Sequence, residues 1–190
     1  MAIESKNIVN IEEKLRNMFA NINEWLKFAE AKNFGLFSIT GAVYLGITQV
    51  DFEESIPLKW GFVILSLTAG ATLITSLLSL FPFLTKVDGA FAKGWISKLS
   101  NWIDHEHPFE NIHFYGHLKN LQEPEFEKEF TTKIGQELTF NQYEKELVTQ
   151  ILYNAKITWL KFQLFKIGGF FFLCGFIPSI VFLLALKFLG

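Results

Sequence analysis

Residues 167–186 read IGGFFFLCGFIPSIVFLLAL, twenty positions without one Asp, Glu, Lys or Arg. A hydrocarbon core about 30 Å thick needs roughly 20 apolar residues at about 1.5 Å of helix rise each. That stretch therefore predicts a membrane-spanning helix. Residues 60–85 are equally free of charge, and so are residues 33–50. The last of these is at the short end, since about 18 residues of helix reach roughly 27 Å. The chain has 190 residues, half of them apolar, and 22 are Phe. A chain this short cannot enclose three all-round apolar helices in a soluble core. The sequence predicts an all-α integral membrane protein with three transmembrane helices, near 34–51, 58–84 and 167–188, and a small cytoplasmic helical domain.

Flanking charges orient the spans. Lys27 and Lys32 precede the first, Lys86, Lys93 and Lys98 follow the second, and Lys156, Lys161 and Lys166 precede the third. The opposite side carries Lys59 and Lys187, with Asp51, Glu53 and Glu54 in the short loop. The positive-inside rule places the N-terminus and residues 87–166 in the cytoplasm and the C-terminus outside. Some 30 polar and amphipathic residues precede the first span, which is not the pattern of a secretory signal. The net charge of −2 points to no particular partner, and the lack of a basic patch argues against nucleic acid. Cys174 is the single cysteine, so no disulfide forms within the chain.

Four segments follow: an N-terminal amphipathic helix (1–33), a transmembrane hairpin (34–86), a cytoplasmic helical domain (87–166) and the third span (167–190). From Ile3 to Lys32, the apolar residues Ile8, Ile11, Leu15, Met18, Ile22, Trp25 and Ala29 alternate in steps of three and four. Such a stripe packs either on the 87–166 region or on another subunit. Ser38, Ala42 and Gly46 in the first span, and Ala71, Thr75 and Ser79 in the second, put small residues on one face of each helix. These faces would join the hairpin. Residues 90–103 look amphipathic, residues 140–166 run helically into the third span, and Pro178 should interrupt that span.

All four histidines, His105, His107, His113 and His117, fall within thirteen residues. If residues 112–121 were helical, His113 and His117 would share a face at metal-ligand spacing, the basis for a metal-dependent membrane hydrolase as one alternative. No nucleophile elbow, phosphate loop or dinucleotide fingerprint is present, so neither an enzyme nor a bound cofactor is expected. A second group alternates polar and aromatic residues: Phe114, Tyr115 and His117 in one segment, Gln150, Asn154 and Lys161 along one helix face, and Glu30, Lys32 and Asn33 before the first span. These residues serve equally well as caps and interfacial anchors, or as a surface for a nucleotide base and phosphate.

Three segments carry a family likeness: WLKFAEAKNFGLFSITGAVYLGI, NIHFYGHLKNLQEPEFEKEF and ELVTQILYNAKITWLKFQLFKI. The chain resembles the transmembrane effectors of Pycsar, the bacterial pyrimidine-cyclase antiphage systems. Trp25, Glu30 and Lys32 with Asn33 would hold the family's juxtamembrane motif. Phe114, Tyr115, Gly116, His117 and Leu118 would hold its aromatic-Gly-His segment, and Gln150, Ile151, Asn154 and Lys161 its last helix. The resemblance implies activation by cUMP or cCMP from a partner cyclase, followed by impairment of the bacterial inner membrane and abortive infection. It implies a homo-oligomer, since three spans alone cannot line an aqueous pore. Nothing in the sequence looks like a β-barrel cyclic-nucleotide domain. The candidate ligand residues, Phe114, Tyr115, His117, Gln150, Asn154, Lys156 and Lys161, are therefore drawn from the soluble face. A membrane scaffold binding a protein partner is the main rival.

Overall fold

Each helix begins where the sequence supplies a partner for its free amides. Asn10 Oδ1 accepts the Glu13 amide at 3.1 Å at the start of α1 (Ile11–Thr48), with Glu12 and Glu13 beside the positive end of the helix dipole. Pro57 sits in the first turn of α2 (Ile56–Leu80), where its missing N–H costs nothing. That helix stops before Phe81, which is extended, as a residue preceding proline must be. After the single turn α3 (Tyr115–Leu118), the Gln122 amide donates to Glu125 Oε2 at 2.9 Å to open α4 (Glu123–Ile134). Gly135, at φ 72°, closes it in the left-handed conformation that suits glycine. Asn141 and Glu144 cap each other's backbone reciprocally, at 2.9 and 2.8 Å, to start α5 (Gln142–Phe171).

The structure is a computed structural model that describes residues 10–51, 55–81 and 111–189. The helix start expected at Ile3, the amphipathic segment 90–103, and His105 and His107 lie outside the described residues. Among those described every regular element is helical. Two helical runs, Ile56–Leu80 and Gln142–Phe188, are long and apolar enough to cross a membrane. The stripe ending at Lys32 and the span expected from residue 34 are one uninterrupted helix, α1, because no breaker separates them.

The interruption expected at Pro178 takes the form of a π-helical turn (Phe172–Phe176) between α5 and α6 (Ile177–Leu189). Pro178 has no amide to give the Cys174 carbonyl, and the Ile177 amide reaches back five residues to Phe172 instead.

The chain divides into two compact units. The described residues of 1–26 and 108–159 form one, and those of 27–107 and 160–190 the other. These divisions fall about two helical turns before the boundaries expected at 33/34 and 166/167. In the first unit, Leu15, Met18 and Ile22 of α1 are buried against Leu118, Phe126, Phe130, Val148 and Ile151. The heptad-like stripe therefore packs within its own chain. Phe126 and Phe130 stack at 5.6 Å, and Phe140 meets Phe130 edge-on at 5.8 Å.

In the second unit α2 packs along the end of α5, the π turn and α6, which together form the third long apolar helix of the chain. A Cβ placed on Gly168 would stand 2.8 Å from Thr75 Oγ1, one on Gly175 2.4 Å from Thr68 Cγ2, and one on Gly61 2.7 Å from Leu183 Cδ2. The contacts step by seven and seven residues along α2. Along the partner they step by seven and then eight, the extra residue matching the π turn. Thr75 and Ser79 thus lie on a buried face, as expected, but their partner is the third helix. Ser38, Ala42 and Gly46 are exposed, so the small-residue face expected in the first span is not used within the chain. Helix α1 turns Leu36, Thr40 and Ile47 inward instead, and Tyr44 shares a 3.0 Å hydrogen bond with Ser66. The outer face of α2 is apolar, with Leu67 70% and Ile74 59% exposed.

Replacing Gly168 with Leu forces a side chain into Thr75 and Leu36, whereas a Cβ on neighbouring Gly169 meets nothing within 4 Å. Both substitutions gain about 0.8 kcal/mol of helix propensity, and only Gly168→Leu incurs an overpacking cost of about 1–3 kcal/mol. Thermal unfolding in detergent is expected to rank Gly168→Leu below the parent and Gly169→Leu at or above it. The reverse order would contradict the seam.

Candidate functional site

Of the polar residues singled out along the helices, Lys161 and Asn33 turn inward. Lys161, 2% exposed, places Nζ 2.8 Å from Glu30 Oε1 and 2.7 Å from the Ser79 carbonyl oxygen. That carbonyl belongs to the last turn of α2, where the helix has no amide to offer and a cation is favoured. Asn33 is fully buried, and its Nδ2 donates to the carbonyls of Ala29, at 2.9 Å, and of Lys161, at 3.0 Å. The Lys32 ammonium stands over the rings of Phe28, Phe165 and Phe162 at 4.5, 5.3 and 5.8 Å.

In the first unit the pattern repeats. Asn154 donates to Asn23 Oδ1 at 2.8 Å, Trp25 packs on Tyr115 at 5.7 Å, and Phe114 packs on Tyr115 at 4.6 Å. Lys119 lies 4.0 Å above the Trp159 ring. His117 Nε2 is 2.8 Å from Glu129 Oε2, and Lys133 Nζ is 2.7 Å from Glu129 Oε1. Burial works against the Glu129 charge, but hydrogen bonds from Lys133 and His117 outweigh it and hold this carboxyl below its ordinary value. Lys156 is half-buried and Gln150 is exposed. His113 precedes the single turn α3, so it does not share a helix face with His117. The geometry required by a helix-borne metal pair is not formed. Among the described residues no group of three His, Cys, Asp or Glu is placed to hold a metal ion.

A cleft of about 630 Å³ opens elsewhere in the first unit, lined by Lys14, Asn17, Met18, Asn111, Ile112, His113, Phe130, Lys133 and Ile134. Three elements shape it. The beginning of α1 supplies Lys14, Asn17 and Met18, the turn before α3 supplies residues 111–113, and α4 supplies Phe130, Lys133 and Ile134. The turn is held by the His113 amide, which donates to Asn111 Oδ1 at 2.8 Å, and by Asn21 Nδ2, which donates to the His113 carbonyl at 3.0 Å. The lining combines two ammonium groups, two carboxamides and an imidazole with an apolar floor. Pockets for small ligands have this character and fall in the range of about 300–1,000 Å³. None of the seven ligand residues chosen from the sequence lines this cleft. The signal that could have found it is Lys14 and Asn17, polar residues at the edge of the buried Leu15–Met18 stripe.

Comparison with protein families finds that residues 14–188 match the Pycsar effector protein domain. No curated protein and no solved structure matches the chain.

Removing Glu30 leaves the buried Lys161 ammonium without its carboxylate, whereas Lys161→Met removes the charge and keeps most of the volume. Breaking one side of a buried pair costs about 3–5 kcal/mol, and an apolar replacement of similar size is often close to neutral. Glu30 is 46% exposed at its side chain, so solvent reduces the cost to the lower part of that range or below it. Glu30→Ala is expected to unfold at lower temperature than Lys161→Met, both without nucleotide. Equal stability of the two variants would mean that the pair does not hold the junction.

Proposed function

The chain belongs to the Pycsar effector family, and on that premise we propose that it senses a cyclic pyrimidine mononucleotide, cUMP or cCMP, and impairs the bacterial inner membrane, causing abortive infection. The observation that carries this reading is the polar cleft in one compact unit of a chain whose other unit is built on membrane-length helices. A cyclic mononucleotide carries one phosphodiester charge, a ribose and a flat base with carbonyl and ring-nitrogen acceptors. Lys14 and Lys133 supply cations for the phosphodiester. Asn17 and Asn111 carry carboxamides that suit a pyrimidine edge, and Met18 and Phe130 offer apolar area to its face. We place the ligand here because Asn154 and Lys161 are engaged in packing, while Phe114 and Tyr115 pack on each other.

Helices α1 and α5 each enter both units, so nucleotide binding has a covalent route to the membrane segments. The ligand acts by favouring one arrangement of those helices over another. In this reading the charge-free second half of α1 is a third span beside α2 and the third helix. The N-terminus and the sensing unit are cytoplasmic, the C-terminus lies outside, and the impaired membrane reflects assembly of several copies. The chain performs no catalysis and acts through a ligand made by a partner cyclase. A ligand-independent scaffold has no use for a charged cleft of this size, and among the described residues His113 and His117 do not form the metal pair a hydrolase would use.

Purified protein in detergent is expected to gain about 2.7 kcal/mol of stability at cUMP or cCMP a hundredfold above Kd, read as a rise in Tm. Lys14→Ala should lose most of that rise and leave ligand-free Tm unchanged, because Lys14 is exposed at the cleft rim. No shift with either nucleotide at millimolar concentration would refute the sensing role. A full shift in Lys14→Ala would move the ligand out of this cleft.

A further inference from the structure

The face that α2 turns toward α5 carries hydroxyls over about two turns. Thr72, Thr75, Ser76 and Ser79 are at most 4% exposed. The threonines satisfy themselves on their own helix, Thr72 on the Thr68 carbonyl at 2.9 Å and Thr75 on the Ala71 carbonyl at 2.9 Å. The serines do not. Ser76 Oγ and Ser79 Oγ are buried without a hydrogen-bond partner, and so is Asn33 Oδ1.

These three atoms hang on one junction. Asn33 Nδ2 holds the Lys161 carbonyl, the Lys161 ammonium holds the Ser79 carbonyl, and Ser76 Oγ stands 3.5 Å from where a Cβ of Gly168 would be. The junction therefore extends over two turns of α5, from Lys161 to Gly168, and lacks a side chain at Gly168. Lipid offers no hydrogen bonds, so a polar atom at this depth needs a partner from the protein or from trapped water. A serine hydroxyl both donates and accepts, whereas Asn33 Oδ1 only accepts. The neighbouring ammonium opposes a cation and the carboxamide oxygen opposes an anion. Water suits all three groups.

The geometry points to a buried hydration site at the partnerless oxygens of Asn33, Ser76 and Ser79. It is continuous with the hydroxyl face of Thr75, Thr72 and Thr68, and it forms the entry of the aqueous path through which the protein impairs the membrane. The role as a path rests on the effector reading above; the hydration itself does not. At rest the seam is closed further along by Leu65 and Leu183, both fully buried. Separation of α2 from the third helix would extend water from Ser79 along the threonines.

Two measurements on the full chain test this. In lipid vesicles, water-edited solid-state NMR follows magnetisation from water into the protein. Transfer to Ser76, Ser79 and the Asn33 carboxamide should be several-fold faster than to Thr40, which is equally buried but bonded to the Leu36 carbonyl at 2.7 Å. Equal rates for the two sets would overturn the hydration site. The second measurement uses a Ser76→Ala, Ser79→Ala double variant, which removes both hydroxyls without adding bulk. In vesicles loaded with a soluble dye, this variant should keep the full Tm rise with cUMP or cCMP while losing most nucleotide-dependent dye release. Undiminished release would overturn the path. If the unaltered protein shows no nucleotide response, the sensing reading fails, and the NMR comparison alone decides whether the site is wet.

Discussion

A buried ammonium cannot stand alone in a protein interior, and Lys161 sets the terms for the helices around it. Its charge reaches Glu30 of α1, and its protons reach the Ser79 carbonyl at the end of α2. Asn33 ties the Lys161 backbone to α1 one turn further along. Three helices are thereby registered at one level by one ion pair and two hydrogen bonds to backbone carbonyls. The registry brings Gly168 against Thr75 and Gly175 against Thr68, and the close seam of the membrane segments follows. The π turn before Pro178 keeps that seam in step by adding one residue where the ladder would otherwise break.

The junction also decides what remains for a ligand. A nucleotide needs cations and hydrogen-bonding groups that packing has not consumed. Along α5 the polar residues are largely committed, Asn154 to Asn23 and Lys161 to Glu30 and Ser79. The cleft near the start of α1 gathers Lys14, Asn17 and the Asn111 carboxamide around a cavity of nucleotide size, with Lys133 beside them in its pair with Glu129. Trp25, Glu30 and Asn33 hold helices together, and the proposed sensing chemistry sits elsewhere, at the start of α1.

Much of the architecture was legible in the chain. The charge-free runs that start at residues 60 and 167 lie in helical stretches of membrane length, Ile56–Leu80 and Gln142–Phe188, because hydrophobicity over some 20 residues leaves few alternatives. The stripe of Leu15, Met18 and Ile22 is buried against its own chain for the same kind of reason. What a linear reading could not decide is which of several similar faces meets which. Ser38, Ala42 and Gly46 carry the same spacing as Ala71, Thr75 and Ser79, yet the first set is exposed while Thr75 and Ser79 are buried, with Gly168 making room for Thr75. A lysine on a polar face is ambiguous until its partners are known, and the structure pairs Lys161 with Glu30 and the Ser79 carbonyl. The cleft was hidden for a different reason. Lys14, Asn111 and Lys133 lie far apart in sequence, and no spacing rule links residues brought together only by tertiary packing.

The central claim is that one chain both recognises the nucleotide and breaches the bilayer. It is tested most directly by reconstituting the purified protein alone into dye-loaded vesicles and adding cUMP, cCMP or, as a control, the corresponding linear monophosphate. The account expects dye release with a cyclic pyrimidine nucleotide and none with the linear form. Intact vesicles in every case, with the protein folded and inserted, would contradict it.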